Sequence, residues 1–230
     1  VAFSVSAIMN FVLSIDFEKR RIQRMKNKIA ELSGHTIVCG FGRIGKVICK
    51  ELHMKGVPFV VVEIGDEQVK QLEDCGYLHL QGDAAADEVL EEAGIMRAKS
   101  LVSMIDNDAD GLYLCLAARS LSEKLRIVVR ASDERAKKRI EKAGANKVIL
   151  PIIMSGKRIA ESIINPAVED FLDVAGAYFE KGEGIQLTDI VVNDDSSLVD
   201  KNVEDISEIV TDLVIVAIRR KNGDFVFFPK

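Results

Sequence analysis

The segment HTIVCGFGRIGKVICKEL, residues 35–52, constrains the fold more than any other part of the chain. A short apolar run leads into Gly40, Gly42 and Gly45 in G-x-G-x-x-G spacing, and a helical pattern over 43–55 follows. That order predicts a strand, a tight turn and a helix. The first glycine permits the turn, the second lets backbone approach a pyrophosphate, and the third lets helix and strand pack closely. The free N–H groups and the dipole at the helix start then favour a bound anion.

The pattern continues as an alternation of elements. PFVVVE precedes a helix from Asp66 to about Cys75, and YLHLQG precedes a short helix over 86–93. SLVSMI leads to a helix from about Asp108 to Leu121, LRIVVR to one over 133–143, and KVIL closes the series at Pro151. These strands are continuous apolar runs, as expected where helices cover both sheet faces. The expected fold class is α/β, a Rossmann-like doubly wound parallel sheet.

Several polar residues fall at the carboxyl ends of these strands. Glu63 ends the second strand, where an acid accepts hydrogen bonds from an adenosine ribose and repels the 2′-phosphate of NADP. No arginine follows within EIGDEQ, so NAD or an adenine nucleotide is favoured over NADP. Arg43, inside the glycine loop, can reach phosphates. Gly82 and Asp83 end the third strand, and Ile105, Asp106 and Asn107 end the fourth. Asp108 reads as a helix cap. Arg130 ends the fifth strand and can face phosphate or a neighbouring subunit. No tyrosine has a lysine four residues later, and no histidine ends a strand beside the cofactor position, so the nucleotide reads as sensed rather than consumed.

Composition narrows the classes further. A formal charge of −5 on 230 residues argues against a nucleic-acid binder. Four cysteines without C-x-x-C spacing read as reduced thiols, and three scattered histidines give no zinc pattern. The start, VAFSVSAIMNFVLSIDF, is apolar and precedes a run containing Lys19, Arg20, Arg21, Arg24, Lys26 and Lys28. It is too short to span a bilayer alone, and its charges follow the apolar part, unlike a signal peptide. Either it packs on the domain or it is the tail of a spanning helix, and the basic run favours the second.

From Asp16 to Leu32 the pattern is helical, ended by Gly34. Beyond Pro151, one helix over 152–164 and a second, AVEDFLDVA, broken at Pro166, carry more apolar residues than one small domain edge would cover. IQLTDIVV, DLVIVAI and DFVFF then read as strands of a small α+β module whose sheet ends unfinished.

The blocks RMKNKIAELSGHTIVCGFGRIGK, VVVE, LQGDAAADEVLEEAGIMRAKSLVSMIDND, RIVVRASDE and KAGANKVILP together resemble the regulator of potassium conductance (RCK, TrkA-N type) domains of prokaryotic potassium channels and transporters. The resemblance covers about residues 24–230. It implies a fold that binds NAD(H), ATP, ADP or AMP without turning it over. Gly40, Phe41, Gly42, Arg43, Ile44 and Gly45 would hold the phosphates, and Glu63 the ribose. Gly82, Asp83 and Ala84 would border the adenosine, with Ile105 and Asp106 nearby.

The resemblance also implies an organisation. Residues 1–33 would be the end of a pore-lining helix and a basic linker helix, 34–150 the nucleotide-binding lobe, 151–182 the crossover helices of a dimer, and 183–230 a C-terminal lobe. Dimers would assemble into a gating ring at the cytoplasmic face of the membrane, joined to a pore-forming segment of the same protein. Calcium-binding members carry carboxylates just after the fifth strand. Arg130 and Ser132 stand there, so no calcium is expected at that place. The alternatives are a peripheral regulatory subunit of a potassium transporter and an NAD-dependent oxidoreductase.

Overall fold

The computed structural model describes residues 20–164 and, beyond them, 190–193, 196, 198–199, 202, 215, 217–220 and 224–227. The chain divides into two compact units, Val1–Ile164 and Asn165–Lys230.

The first unit opens with helix α1 (20–30) and continues as β1 (Thr36–Cys39), α2 (Arg43–Met54), β2 (Phe59–Glu63), α3 (Asp66–Cys75), β3 (His79–Gln81) and α4 (Asp87–Glu92). Then come β4 (Ser100–Ser103), α5 (Asp108–Leu121), β5 (Arg126–Arg130), α6 (Glu134–Lys142), β6 (Lys147–Ile149) and α7 (Pro151–Ile164). The elements expected from the apolar runs are present, with ends that differ by a residue or two. Helices predicted over 86–93 and 133–143 shorten because Ala86 and Asp133 serve as caps with extended backbone. The strand series closes at β6 as expected, and Pro151 starts α7 one residue before the expected helix, where its missing N–H costs nothing.

All six strands form one sheet in the order β3-β2-β1-β4-β5-β6, and every neighbouring pair is parallel. This is the doubly wound arrangement the sequence predicts. Cys39 stands level with Val62 on one side and Ser103 on the other, so the strand order reverses between β1 and β4. A ligand in such a sheet binds outside the carboxyl ends at that reversal.

Alternation along the strands divides the core in two. Ile37, Cys39, Val60, Val62 and Ile127 face the larger core, which also buries Leu90, Leu114, Cys115 and Ile140 from the crossover helices. Val38, Phe59 and Val61 face the smaller core with Phe41, Cys49 and Leu72. Single-residue alternation between two covered faces is why these strands read as continuous apolar runs.

Helix α1 is part of this unit. Ile29 is fully buried in the larger core, and Arg21 and Lys26 pair with Glu73 and Glu92. Two members of the basic run therefore bind the domain's own acids. After α1, Gly34 takes φ 65° and donates its N–H to the Arg97 carbonyl at 2.8 Å, while Arg97 Nε donates to the Leu32 carbonyl at 3.1 Å. No helix among the described residues is long and apolar enough to cross a membrane. The apolar start and the second crossover helix, AVEDFLDVA, lie outside the described residues.

In the second unit, β7 (Ala217–Arg219) and β8 (Phe225–Phe227) form an antiparallel pair, with Ile218 level with Val226. β7 takes the last two residues of the expected strand DLVIVAI and extends one beyond it, to Arg219, and β8 lies within DFVFF. The described part of IQLTDIVV and the residue after it, 190–193, carries no strand.

Candidate functional site

The carboxyl ends of β1 to β4 open on one cleft of about 540 Å³. That volume suits a small-molecule site, which is commonly 300–1,000 Å³. Gly40 and Gly42 line its centre. On one side lie Glu63, Ile64, Gln68, Gly82, Asp83, Ala84 and Ala85, and on the other Met104, Ile105, Asp106, Asp110 and Tyr113.

The three glycines have three different reasons. Gly40 adopts φ 97°, which disfavours any side chain, and its N–H donates to the Val62 carbonyl at 2.9 Å. At Gly45 a Cβ would sit 2.1 Å from the Gly40 carbonyl oxygen, so α2 could not pack on the loop with any other residue. Gly42 is different. Its φ of −73° suits any residue, and a Cβ there would meet nothing within 4 Å. The loop itself does not require a glycine at 42.

Gly42 is also the N-cap of α2, without a capping side chain, and the first bond of the helix is Lys46 N–H to the Gly42 carbonyl at 3.0 Å. The N–H groups of Gly42, Arg43, Ile44 and Gly45 therefore make no hydrogen bond among the described residues. Unbonded N–H groups at a helix start favour an anion. The Arg43 side chain is exposed and has no partner among the described residues, and neither Arg43 nor Gly45 is among the residues lining the cleft. Ile44 is partly exposed and does not line the cleft.

Phe41 belongs to the loop through its backbone only. Its ring is buried in the smaller core, edge-on to Tyr77 with centroids 6.4 Å apart. Its N–H donates to Glu63 Oε2 at 2.5 Å. The N–H groups of Ile64 and Gly65 donate to Glu63 Oε1, both at 2.8 Å. Three backbone donors thus fix the carboxylate and tie the glycine loop to the end of β2. A carboxylate offers about four acceptor positions, so one remains for a ligand hydroxyl.

Gly82 lies beside Glu63, donating its N–H to the Glu63 carbonyl at 3.0 Å. Asp83 Oδ1 accepts from the Ala85 N–H at 2.9 Å, and Asp83 and the buried Ala84 both line the cleft. Across the cleft, Arg130 is turned inward. Its Nη1 donates to the Ile105 carbonyl at 3.2 Å and to Asp106 Oδ1 at 2.8 Å. Arg130 is not among the residues lining the cleft; it holds two that are.

Gln68, Asp110 and Tyr113 line the cleft and escaped the sequence reading. The signal available for the last two was their three-residue spacing on the helix after β4, which puts them on one helical face. Asp108 accepts from the Ser132 N–H at 3.0 Å and from the Ser132 hydroxyl, while the capping residue of α5 is Asn107, which accepts from the Ala109 N–H at 2.8 Å. The cap expected at Asp108 is one residue earlier. Below the loop, burial pushes the Cys39 thiol up to about 12, so it is no nucleophile at neutral pH. Among the described residues, no group of three or more His, Cys, Asp or Glu side chains is placed to hold a metal ion.

Comparison with known proteins places this arrangement. The model of the TrkA-N domain family matches residues 36–151. A probable potassium channel protein 2 from Methanocaldococcus jannaschii is 35% identical over 228 residues, covering 96% of this chain and 66% of that protein. The chain thus spans just under two thirds of that relative's length. Among solved structures, the TrkA-N domain of the inner membrane protein YbaL from Escherichia coli superposes with a TM-score of 0.55 at 26% identity, covering 57% of this chain and 97% of that one. The GsuK protein bound to ADP superposes with a TM-score of 0.50 at 29% identity, covering 58% of this chain and 35% of that one. With the whole parallel sheet from β1 to β6 inside the matched range, the chain belongs to the TrkA-N domain family.

Proposed function

We propose that the chain is a cytosolic, nucleotide-sensing gating domain of a potassium channel, controlling potassium transport across the membrane. The observation that carries this reading is that Gly42, which opens the run of four unbonded N–H groups at α2, lines one cleft with the backbone-fixed carboxylate of Glu63, in a chain similar to a potassium channel protein. The ligand is NAD(H) or an adenine nucleotide (ADP, ATP or AMP). Its phosphates lie on the N–H groups of 42–45, with Arg43 reaching over them, and its ribose meets the free acceptor position of Glu63. Gly82, Asp83 and Ala84 border the adenosine, and Ile105 and Asp106 close the opposite side, held by Arg130. A solved neighbour that carries ADP supports this class of ligand.

The ligand acts as a regulator and is not consumed. A second copy pairs through residues 151–182. On α7, Ile152, Ile159 and Ile163 are 70, 61 and 76% exposed at spacings that repeat on one helical face. Dimers then form a gating ring beneath a pore-forming segment of the same protein. Residues 1–33 join pore to lobe, and α1, packed on the sheet, transmits displacement because a helix resists stretching. The ligand biases the ring only through contacts that differ between its states.

The test is single-channel recording of the full-length protein with nucleotide on the cytosolic side. Open probability is expected to change with nucleotide and to lose that dependence in Gly42→Asp. Constant open probability at saturating nucleotide would reject the gating role. Turnover of NAD with any of a panel of alcohols or hydroxy acids would favour an oxidoreductase instead.

A further inference from the structure

Resting on that reading of the cleft, we infer that the site prefers oxidised over reduced nicotinamide dinucleotide, through Asp110 and Tyr113. In a sheet of this order a dinucleotide lies across the reversal point. One nucleoside sits over β2 and β3, and the other sits over the ends of β4 and β5. The cleft extends to both sides of Gly40 and Gly42, so the β4 side is the place of the second nucleoside.

The chemistry of that side is specific. Asp110 and Tyr113 lie three residues apart on α5, on one face, and both line the cleft. Tyr113 is 62% exposed. The Asp110 carboxylate makes no hydrogen bond or ion pair among the described residues. Its neighbours are engaged elsewhere. Asp106 is paired with Arg130, and Asp108 holds Ser132. Arg130, whose charge would oppose Asp110, is already matched by Asp106 at 2.8 Å.

The start of α5 contributes a dipole of about half a positive charge. Two full carboxylates in its first turns, Asp108 and Asp110, outweigh it. The second half of the cleft is therefore net negative, with a free carboxylate beside an open aromatic face. A planar cation suits that pairing, by charge and by the attraction of cations to aromatic faces. The oxidised nicotinamide ring carries a positive charge and the reduced ring does not. The adenosine, ribose and phosphate contacts are common to both forms, so the β4 side alone distinguishes them.

The experiment is calorimetric titration of the 230-residue chain with ADP, ADP-ribose, NAD+ and NADH. NAD+ is expected to bind about three- to ten-fold more tightly than NADH or ADP-ribose at low salt. In Asp110→Asn the NAD+ to NADH affinity ratio should fall toward one, and in Tyr113→Leu it should fall part of the way. The ratio is independent of the active fraction of each preparation. If ADP binds while NAD+ and NADH bind equally, or NADH binds more tightly, the inference is wrong and the nucleotide site stands. If none of the four binds, the site itself is wrong. A ratio that survives both substitutions overturns the assignment to these residues. So does a ratio unmoved by Tyr113→Leu when ultracentrifugation shows that substitution dissociating an oligomer, because Tyr113 then serves an interface.

Discussion

The two halves of the cleft are held in different ways. On the β1–β3 half, polar groups are fixed by backbone: Glu63 accepts the N–H groups of Phe41, Ile64 and Gly65, and Gly45 fits under the Gly40 carbonyl only because it lacks a Cβ. On the β4–β5 half they are fixed by side chains, with Arg130 reaching Asp106 and the Ile105 carbonyl, and Asp108 reaching Ser132. Backbone-built geometry cannot relax by a rotamer change, whereas an exposed side-chain pair can. The first half should therefore be brittle to substitution and the second tolerant. The adenosine end of a ligand would meet a rigid mould, and its other end a surface that evolution can retune.

The sharpest way to break that contrast lies within the loop. Gly45→Ala places a Cβ 2.1 Å from backbone oxygen, and neither α2 nor β1 can move without disturbing a core. A loss of about 3 kcal/mol or more of stability is expected by denaturant unfolding. Gly42→Asp should behave oppositely. The position is open, its backbone is already that of an N-cap, and aspartate caps better than glycine. Stability should hold or rise by a few tenths of a kcal/mol. Nucleotide binding should vanish, because the new carboxylate occupies the anion position. Equal melting shifts in wild type and Gly42→Asp on adding ADP would remove the phosphates from this loop.

A smaller effect is expected at Glu63. Glu63→Gln keeps the shape but replaces one acceptor oxygen by an NH2 group, which cannot accept from the N–H it faces. Of three backbone donors, at least one loses its partner, at a cost of about 1–3 kcal/mol. Calorimetry should show weakened ADP binding in the same variant. Unchanged stability together with unchanged affinity would mean that the carboxylate fixes neither the loop nor the ribose.

How legible each half was follows from the same physics. Gly40 and Gly45 announce themselves, because a backbone at φ 97° and an approach too close for a Cβ admit only glycine. The six strands were legible because both faces are buried. Phe41 shows the limit. Its loop position was readable, but its burial against Tyr77, thirty-six residues on, depends on tertiary packing. Asp110 and Tyr113 were hidden for a similar reason. Helix α5 carries acids at 106, 108 and 110 around its start, and only the packed helix reveals which one stays free over the cleft. Gln68 likewise depends on how α3 is set beside Glu63.

The tolerance of the side-chain half can be tested at Arg130. Asp106 is 97% exposed, so its ion pair is screened by water and contributes little. Arg130→Met keeps the aliphatic packing and loses mainly the bond to the Ile105 carbonyl. A cost of about 1 kcal/mol is expected. Urea midpoints would measure it, and a loss as large as that of Gly45→Ala would erase the contrast between the halves.

The smallest effect is expected at the opposite, amino edge of the sheet, and it shows whether pH reports on the fold rather than on the cleft. His35 is fully buried just before β1, and its Nε2 lies 2.8 Å from the Ala93 carbonyl. A carbonyl only accepts, so Nε2 carries the proton and Nδ1 is a bare lone pair without a hydrogen-bond partner among the described residues. Burial lowers the pKa of His35 below its ordinary 6.5, and the nearby Arg97 charge adds to this, while the bond to Ala93 works against it. The folded pKa lies below the unfolded one, so the unfolded chain binds the extra proton first. The contribution of neutral His35 is complete above about pH 6.5 and is lost as the pH falls toward the folded value. One such group gives a slope of at most about 1.4 kcal/mol per pH unit. Asp133, which the Ala136 N–H holds below its ordinary 3.8, titrates well under this window. Urea unfolding between pH 7.5 and 5.5 should show stability falling with pH in wild type and a flatter profile in His35→Gln. Identical profiles would mean that the buried imidazole is tolerated in its charged form, and the amino edge would then be less tightly packed than the backbone-built half of the cleft.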